Sequence, residues 1–387
     1  MRILMVSPFY PPDFGGISDH VTKLVTLLSK NHEVKVITNT IRHGSNGSMS
    51  SPDIIRIPSI TPPPFPYQTL TSFRIPLKVK PLNKVIREFQ PDIIHAHGHH
   101  YPITWISARI AKSKNIPFIM TLHGLYALTS EPTFIEEFFN RTVFKQLLYM
   151  ADCVIALTPT MASYVRKYNN NVQCCIIPNG VDLDSFQNNL HKKLEYRKKY
   201  NLGEDKIIVL YRGRFVDVKG FLELIYAIDA LNKDEKLKSK VLFLLVGDGP
   251  LRKEAVKKLT KYNNCRIMNW TSRALLHELY IASDIFILPS KWYEAFPLVI
   301  LEAMATGLYI VSSKRGSLPD ILEGYERKRY LVEPSVFEIV RILTDIITNW
   351  NKCETRIIQN SYLKKFDWKN IITKLQNVYQ QILSNKK

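Results

Sequence analysis

Two carboxylates eight residues apart, Glu294 and Glu302, are the first candidates for chemistry in this chain. Before them, Asp284-Ile285-Phe286-Ile287-Leu288 reads as a buried strand that Pro289 and Ser290 stop. After Glu294, Pro297 opens a helix, Leu298 to Ala305, which Gly307 ends. A loop therefore carries Glu294 onto a helix N-terminus at the carboxyl end of a strand, where open α/β sheets bind ligands. Free N–H groups and a positive dipole end there suit a phosphate or pyrophosphate. At about 1.5 Å of rise per residue, the second carboxylate lies up to about 12 Å from the first. Carboxylates accept hydrogen bonds from vicinal diols, so the pair could grip both ends of an elongated, phosphate-centred ligand. The same spacing also fits a helix with one capping and one half-buried glutamate.

Other residue types point the same way. Arg214 and Lys219, five residues apart after the strand Lys206 to Tyr211, suit a pyrophosphate; two solvated loop cations are the alternative. Gly15 and Gly16 follow a first strand and precede a helix striped by Val21, Leu24, Val25, Leu27 and Leu28. Two glycines let a backbone approach a ligand closely, or simply make a tight turn. His123 sits at the carboxyl end of the strand Phe118 to Gly124, a strand mouth where a histidine can meet a ligand. His95, His97 and His99 would share one face of an extended strand. No further ligands at a recognisable spacing accompany them, so no metal site is expected. Asp182-Leu183-Asp184 is an Asp-x-Asp, but it lies in a turn after Asn179-Gly180 that leads into a linker, and a metal role is rejected.

These residues need a framework of strands and helices. The 387 residues exceed one typical core and predict two domains. Strands are expected at residues 1–7, 34–38, within 92–100, and at 118–124, 154–158, 206–211, 241–246, 266–270, 284–288 and 308–313, each followed by helical or loop sequence. The first strand–glycine–helix unit lacks Gly-x-Gly-x-x-Gly, so a dinucleotide site is not expected. Residues 41 to 52 are polar and turn-rich, and the proline-rich stretch 59 to 81 is expected to be irregular. Its Phe65, Tyr67, Phe73 and Leu77, with Arg74, Lys78 and Lys80, would suit an anionic membrane surface. An amphipathic helix, Trp368 to Leu383, closes the chain.

The net charge is +19, with 18 basic and 12 acidic residues in 1–187 and 35 and 22 in 188–387. Lys192, Lys193, Arg197, Lys198 and Lys199 form a local cluster. Such a balance attracts anionic membranes, nucleic acid or anionic substrates, or only aids solubility. Mean hydropathy of −0.10, and no apolar run of 18 residues, exclude a multispanning membrane protein. The N-terminal run is too short for a signal peptide, and the five cysteines form no C-x-x-C pair. Reduced thiols and a cytoplasmic location, with peripheral contact at the cytoplasmic face of a membrane, are therefore expected.

The stretch Pro-Ser-x-x-x-Glu-x-Phe-Pro-Leu-Val-x-Leu-Glu-Ala-Met-Ala-x-Gly from Pro289 resembles the Glu-x7-Glu nucleotide-sugar signature of retaining glycosyltransferases of family 4. The Pro-Pro-x-x-Gly-Gly loop at Pro11, the His-x-His at His95, the Asn-Gly-Val-Asp connector at Asn179, Gly-Arg then Lys-Gly at Gly213, and Gly-Asp-Gly-Pro at Gly247 are similar to that family too. The landmarks run from Gly15 to Trp368. The resemblance implies an α/β fold of two facing Rossmann-like domains (GT-B), with the active site in the interdomain cleft. The first domain would be residues 1–182, on the acceptor side, and the second 183–365, holding the nucleotide sugar. Residues 366–387 would form a helix packing back on the first domain.

It further implies metal-independent transfer of a hexose, with retention, from a nucleotide diphosphate sugar of the GDP-mannose or UDP-glucose type to a glycan or lipid-linked acceptor. Glu294 and His123 would hold the sugar and Glu302 the ribose. Arg214, Lys219 and the N–H groups around Phe296, Pro297 and Leu298 would face the phosphates. Gly15 and Gly16 would lie near the donor phosphate and the acceptor. No cofactor is implied. Arg315, Asp320, Asn269 and Tyr309 depart from the family pattern without touching this set. Alternatives are a soluble-sugar or nucleic-acid acceptor on the same fold, an inactive sugar-binding homologue, and a non-catalytic nucleic-acid binder. The last has no nucleic-acid-binding motif to support it.

Overall fold

A computed structural model describes residues 1–13, 15–41, 53–61, 74–125, 133–325, 329–350 and 360–385. Residues 42–52, the aromatics Phe65, Tyr67 and Phe73, and Cys353 lie outside the described residues. The chain divides into two compact units, Met1–Asn179 with Lys369–Lys387, and Gly180–Trp368. The two points where the chain passes between units lie side by side in the second. Val181 N–H donates to the Phe366 carbonyl at 2.8 Å. A Cβ on Gly180 would stand 2.4 Å from the Trp368 ring, so only glycine fits against that indole.

The first unit is built on β1 (Arg2–Ser7), β2 (Glu33–Ile41), β3 (Ile54–Ile60), β4 (Ile75–Pro76), β5 (Ile93–His97), β6 (Phe118–Thr121), β7 (Cys153–Ala156) and β8 (Cys174–Ile176). They form one sheet in the order β4-β3-β2-β1-β5-β6-β7-β8, parallel except where β4 meets β3. Ile3, Leu4, Met5 and Val6 are wholly buried, as a central parallel strand covered on both faces must be. The sheet order turns back at β1, whose neighbours are β2 and β5. The loops after β1 and β5 therefore diverge and leave a crevice at their carboxyl ends.

The second unit has β9 (Ile207–Arg212), β10 (Val241–Val246), β11 (Cys265–Met268), β12 (Ile285–Leu288), β13 (Tyr309–Ser313) and β14 (Arg329–Val332). Their order is β11-β10-β9-β12-β13-β14 and every pairing is parallel. Here the order turns back between β9 and β12. Among the described residues no helix is long and apolar enough to cross a membrane. Cys153, Cys174, Cys175 and Cys265 are free thiols, the first buried and the others half-buried.

Three expectations meet the described residues. Of the stretch 59–81 only the two ends are described, and there β3 runs to Ile60, β4 pairs with it, and a helix spans Lys80–Phe89. Pro58 stands on β3 near the sheet edge, and its carbonyl still accepts from Leu77. Arg74 does not face solvent. It is buried, forks onto both carboxylate oxygens of Asp13 at 2.7 Å and lies 4.8 Å over the Phe9 ring. Nor is the cluster at 192–199 a free basic surface. Lys193 and Arg197 close on the buried Asp284, Lys199 bonds Glu278 at 2.7 Å, and Lys198 lies 3.8 Å from Glu204.

Asp284 is the hub of that arrangement. It also accepts from Ile208 N–H at 2.8 Å, while Arg197 donates to the carbonyls of Ala282, Glu204 and Lys206. The linker helix Lys193–Lys199 is thus tied to the start of β9 and β12. Removing one member leaves a buried charge unpaired. Asp284→Ala is expected to lower unfolding free energy by about 3–5 kcal/mol in urea titration, against under about 0.5 kcal/mol for the exposed Lys198→Ala.

Candidate functional site

The turning point of the second sheet is where the predicted donor residues gather. The loop after β12 brings Glu294 against Lys219, on the loop after β9, with Nζ 2.5 Å from Oε1. Glu294 is buried, so the ammonium is what makes its charge tolerable there. Glu294 is not a helix cap, since no side chain caps the helix Leu298–Ala305. Phe296 is buried, Pro297 is extended with φ −73°, and the helix begins at Leu298. Its first amides have no carbonyl four residues back to bond. Arg214 is exposed on the β9 loop. Tyr211 donates its phenol proton to the Arg214 carbonyl at 2.9 Å, which fixes the bend. Burial raises the Tyr211 pKa, and both Glu294 and Arg214 act on it electrostatically.

Two glycines clasp the Glu294 loop. Gly220 has φ +65°, and a Cβ there would lie 1.8 Å from the Pro289 carbonyl oxygen. Gly316 has φ +61°, and a Cβ there would meet the Glu294 backbone between 2.2 and 2.9 Å. Hydrogen bonds complete the clasp. Lys291 and Trp292 N–H both donate to the Val218 carbonyl at 3.0 Å, and Ser317 N–H donates to the Glu294 carbonyl at 2.7 Å. Neither glycine was singled out from sequence for this role. The one signal was position, directly after Lys219 and Arg315 in strand-end loops.

Glu302 lies on the same helix. Arg212, at the end of β9, approaches it at 3.8 Å, and its Oε2 is buried and accepts no hydrogen bond among the described residues. The Arg212 guanidinium lies 5.9 Å from the ring of Trp270, which is half exposed just beyond β11. Sequence reasoning passed over both Arg212 and Trp270. Asp182 caps the short helix Leu183–Gln187, accepting from Ser185 N–H at 3.3 Å.

The first unit carries the remaining candidates. Gly15, with φ +139°, precedes the helix Gly16–Leu28, and both glycines are exposed with open space where a Cβ would stand. Nearby is a layer of histidines. His97 Nδ1 and His123 Nε2 are 3.0 Å apart and share one proton. His20, from the glycine-led helix, stacks edge-on to both, 5.7 and 5.0 Å between centroids. One ring nitrogen each from His20, His97 and His123 lies within 4.8 Å of the others. The converging set therefore differs from the His95, His97 and His99 read off strand alternation. Both ring nitrogens of His95 are taken up elsewhere, by Tyr379 at 2.6 Å and Thr121 at 2.7 Å, and His99 lies beyond the end of β5. Burial lowers the pKa of all of these, to about 3 for His20 and His95 and about 4 for His100. His97, His99 and His123 are held well below the usual range for the same reason. At neutral pH each ring is uncharged, able to accept one hydrogen bond and donate another.

The geometry divides between the units. Glu294, Lys219, Arg214, Phe296, Pro297, Leu298 and Glu302 gather in the second, and His123, Gly15 and Gly16 belong to the first. Two family models match the chain, "Glycosyltransferase Family 4" over residues 14–185 and "Glycosyl transferases group 1" over 192–364. A Bacillus subtilis putative teichuronic acid biosynthesis glycosyltransferase is 28% identical over 68% of this chain and 62% of its own length. An Escherichia coli UDP-Gal:alpha-D-GlcNAc-diphosphoundecaprenol alpha-1,3-galactosyltransferase is 27% identical over 79% of each. The Anabaena protein HepE, solved with UDP and glucose, superposes with a TM-score of 0.74 at 18% identity, over 98% of this chain and 100% of that one.

Neutral buried histidines make stability depend on pH. The unfolded chain takes up their protons as pH falls through about 6.5, while the folded chain resists until about 3–4. Stability present above pH 6.5 is therefore lost on acidification, by up to about 1.4 kcal/mol per pH unit for each such ring. Denaturant midpoints measured between pH 7.5 and 5 should fall, and His20→Asn should reduce the slope by close to one proton. A second expectation concerns the clasp. Gly316→Ala, forced into a left-handed conformation against backbone, should destabilise by more than about 1 kcal/mol in thermal unfolding.

Proposed function

This chain belongs to glycosyltransferase family 4, and from that premise we propose that it moves a hexose from a nucleotide diphosphate sugar to a glycan or lipid-linked acceptor hydroxyl, with retention at the anomeric carbon. The donor is of the UDP-glucose or GDP-mannose type. The observation that carries the reading is the Lys219–Glu294 pair at the β9/β12 turning point, beside the first amides of the helix Leu298–Ala305. The solved relative held UDP and glucose, and the E. coli relative's name couples a UDP-sugar with a diphosphoundecaprenol-linked acceptor.

In this mechanism the bond between the anomeric carbon and the phosphate oxygen breaks as the acceptor oxygen bonds to that carbon. The acceptor's proton passes to the departing phosphate. Charge builds on the nucleotide diphosphate, and Arg214, Lys219 and the amides around Phe296, Pro297 and Leu298 oppose it from fixed positions. Fixed cations and dipoles do the work that a divalent ion does elsewhere, so no metal is required. Glu294 accepts from sugar hydroxyls. His123, uncharged, bonds another. Glu302 offers its buried Oε2, which Arg212 approaches at 3.8 Å without a hydrogen bond, to the ribose diol, and Gly15 and Gly16 leave room for phosphate and acceptor. A lipid-linked acceptor lies in a bilayer, so the reading includes peripheral contact with an anionic membrane at its cytoplasmic face.

The decisive measurement is thermal stabilisation by UDP, GDP and ADP and their sugars, with and without EDTA. One diphosphate should raise the melting temperature regardless of chelator, and Lys219→Ala should abolish the shift. Donor turnover by Glu294→Gln should fall by about 100-fold or more in protein that circular dichroism shows to be folded. Protein that is folded but blind to every nucleotide would sink the reading.

A further inference from the structure

The membrane part of that reading leaves open which surface meets the bilayer. The helical stretch 134–150 supplies one. It runs as a helix Phe134–Phe139, a wider turn Asn140–Phe144 and a helix Lys145–Met150, about 25 Å long in all. Its inner side, with Asn140, Phe144, Leu147 and Leu148, is buried against the helices Pro102–Ser113 and Pro159–Tyr168. Its outer side is apolar where water should be. Phe134 is 88% exposed, Ile135 67%, Phe138 58% and Tyr149 62%. A monomeric soluble protein rarely gathers large apolar side chains on one exposed stripe.

Charge decides what covers it. Lys145 stands exposed between the aromatic ends of the stripe, as does Arg141, which is paired with Glu137, and Arg166 and Lys167 are exposed on the neighbouring helix. The acids of the stretch are already engaged. Glu136 accepts from Thr133 N–H at 2.7 Å in a capping box, and Glu137 accepts from Arg141 and from the Tyr168 hydroxyl at 2.7 and 2.6 Å. Lys145 enters no ion pair among the described residues. A second copy of the chain would set these cations against one another. A bilayer with anionic headgroups complements them and takes the rings at the depth of its headgroup–acyl boundary.

We propose that the outer face of residues 134–149 docks this protein onto an anionic lipid bilayer, with Phe134, Ile135, Phe138 and Tyr149 inserted and Lys145 against lipid phosphate. The inference rests on the membrane part of the preceding reading and uses no donor-site residue. Vesicle flotation tests it, with phosphatidylcholine alone and with added phosphatidylglycerol. Wild type should float only with the anionic vesicles. The double variant Phe134→Ser/Phe138→Ser should bind about tenfold more weakly or worse. Lys145→Glu, a reversal of one charge, should cost about 30-fold.

Both variants change exposed side chains and should keep the wild-type response to nucleotide in thermal unfolding, which separates failure of docking from failure of the transferase reading. Wild type that ignores anionic vesicles overturns the proposal. So does equal flotation of wild type and both variants. Loss confined to Leu77→Ser/Lys78→Glu, on the exposed segment after β4, would move the surface elsewhere and overturn it too. A wild-type dimer by light scattering that Phe134→Ser/Phe138→Ser makes monomeric would assign the face to a second copy instead.

Discussion

Close backbone approach at two glycines is the constraint on which the donor side depends. The Pro289 carbonyl occupies the space where a Cβ of Gly220 would be, and the Glu294 peptide occupies that of Gly316. Both glycines sit at positive φ, so the strand-end loops after β9, β12 and β13 close on one another with no side chain between them. Only then does Lys219 reach Glu294 at 2.5 Å. A carboxylate as buried as Glu294 would cost several kcal/mol without a cation beside it. The clasp therefore sets the position of the group proposed to hold the sugar and brings Lys219 beside it. The amides of the following helix come with it, because the same loop leads directly into Leu298.

The charge of +19 has a different meaning in the folded chain than in the sequence. Runs of lysine and arginine suggest a surface that gathers anions. In the structure Lys193 and Arg197 are spent on Asp284, Lys199 on Glu278 and Arg74 on Asp13. These pairs tie elements together: the linker helix to two strands of the second sheet, and the loop after β1 to the segment before β4. Arg56 also reaches that loop, donating to the Pro11 carbonyl. The glycine loop at Gly15 is thus held by two arginines far from it in sequence. What remains for partners is the cation that meets no acid among the described residues, of which Lys145 is one.

The histidines show how a strand motif is divided by its surroundings. His95 and His97 lie on one face of β5, with ring centroids 4.3 Å apart. Tyr379, on the C-terminal helix, takes the Nδ1 of His95, and Thr121 takes its Nε2. His95 is therefore saturated and structural, and it anchors the returning helix to the sheet. His97 turns its Nδ1 to His123 instead, at the strand mouth, and His123 is the group proposed to bond a sugar hydroxyl. Desolvation keeps the layer neutral, and repulsion between neighbouring rings were they charged acts in the same direction.

The sequence by itself determined the alternation of strands and helices, the helix from Leu298 to Ala305 with its proline start and glycine stop, and the family. These are local properties: apolar runs, proline and glycine stereochemistry, and motifs of a few residues that report themselves. It marked Glu294, Glu302, Lys219 and His123 for the same reason. Only the tertiary structure decided which groups meet. That Lys219 pairs with Glu294, that Arg212 faces Glu302, and that His20 joins His97 and His123 follow from sheet order, with β9 beside β12 and β1 beside β5. Sheet order is set by long-range packing between segments tens of residues apart, which no local pattern encodes. For the same reason the sequence offered Arg74 and the 192–199 cluster as free cations, when the carboxylates that claim them are supplied by distant parts of the chain.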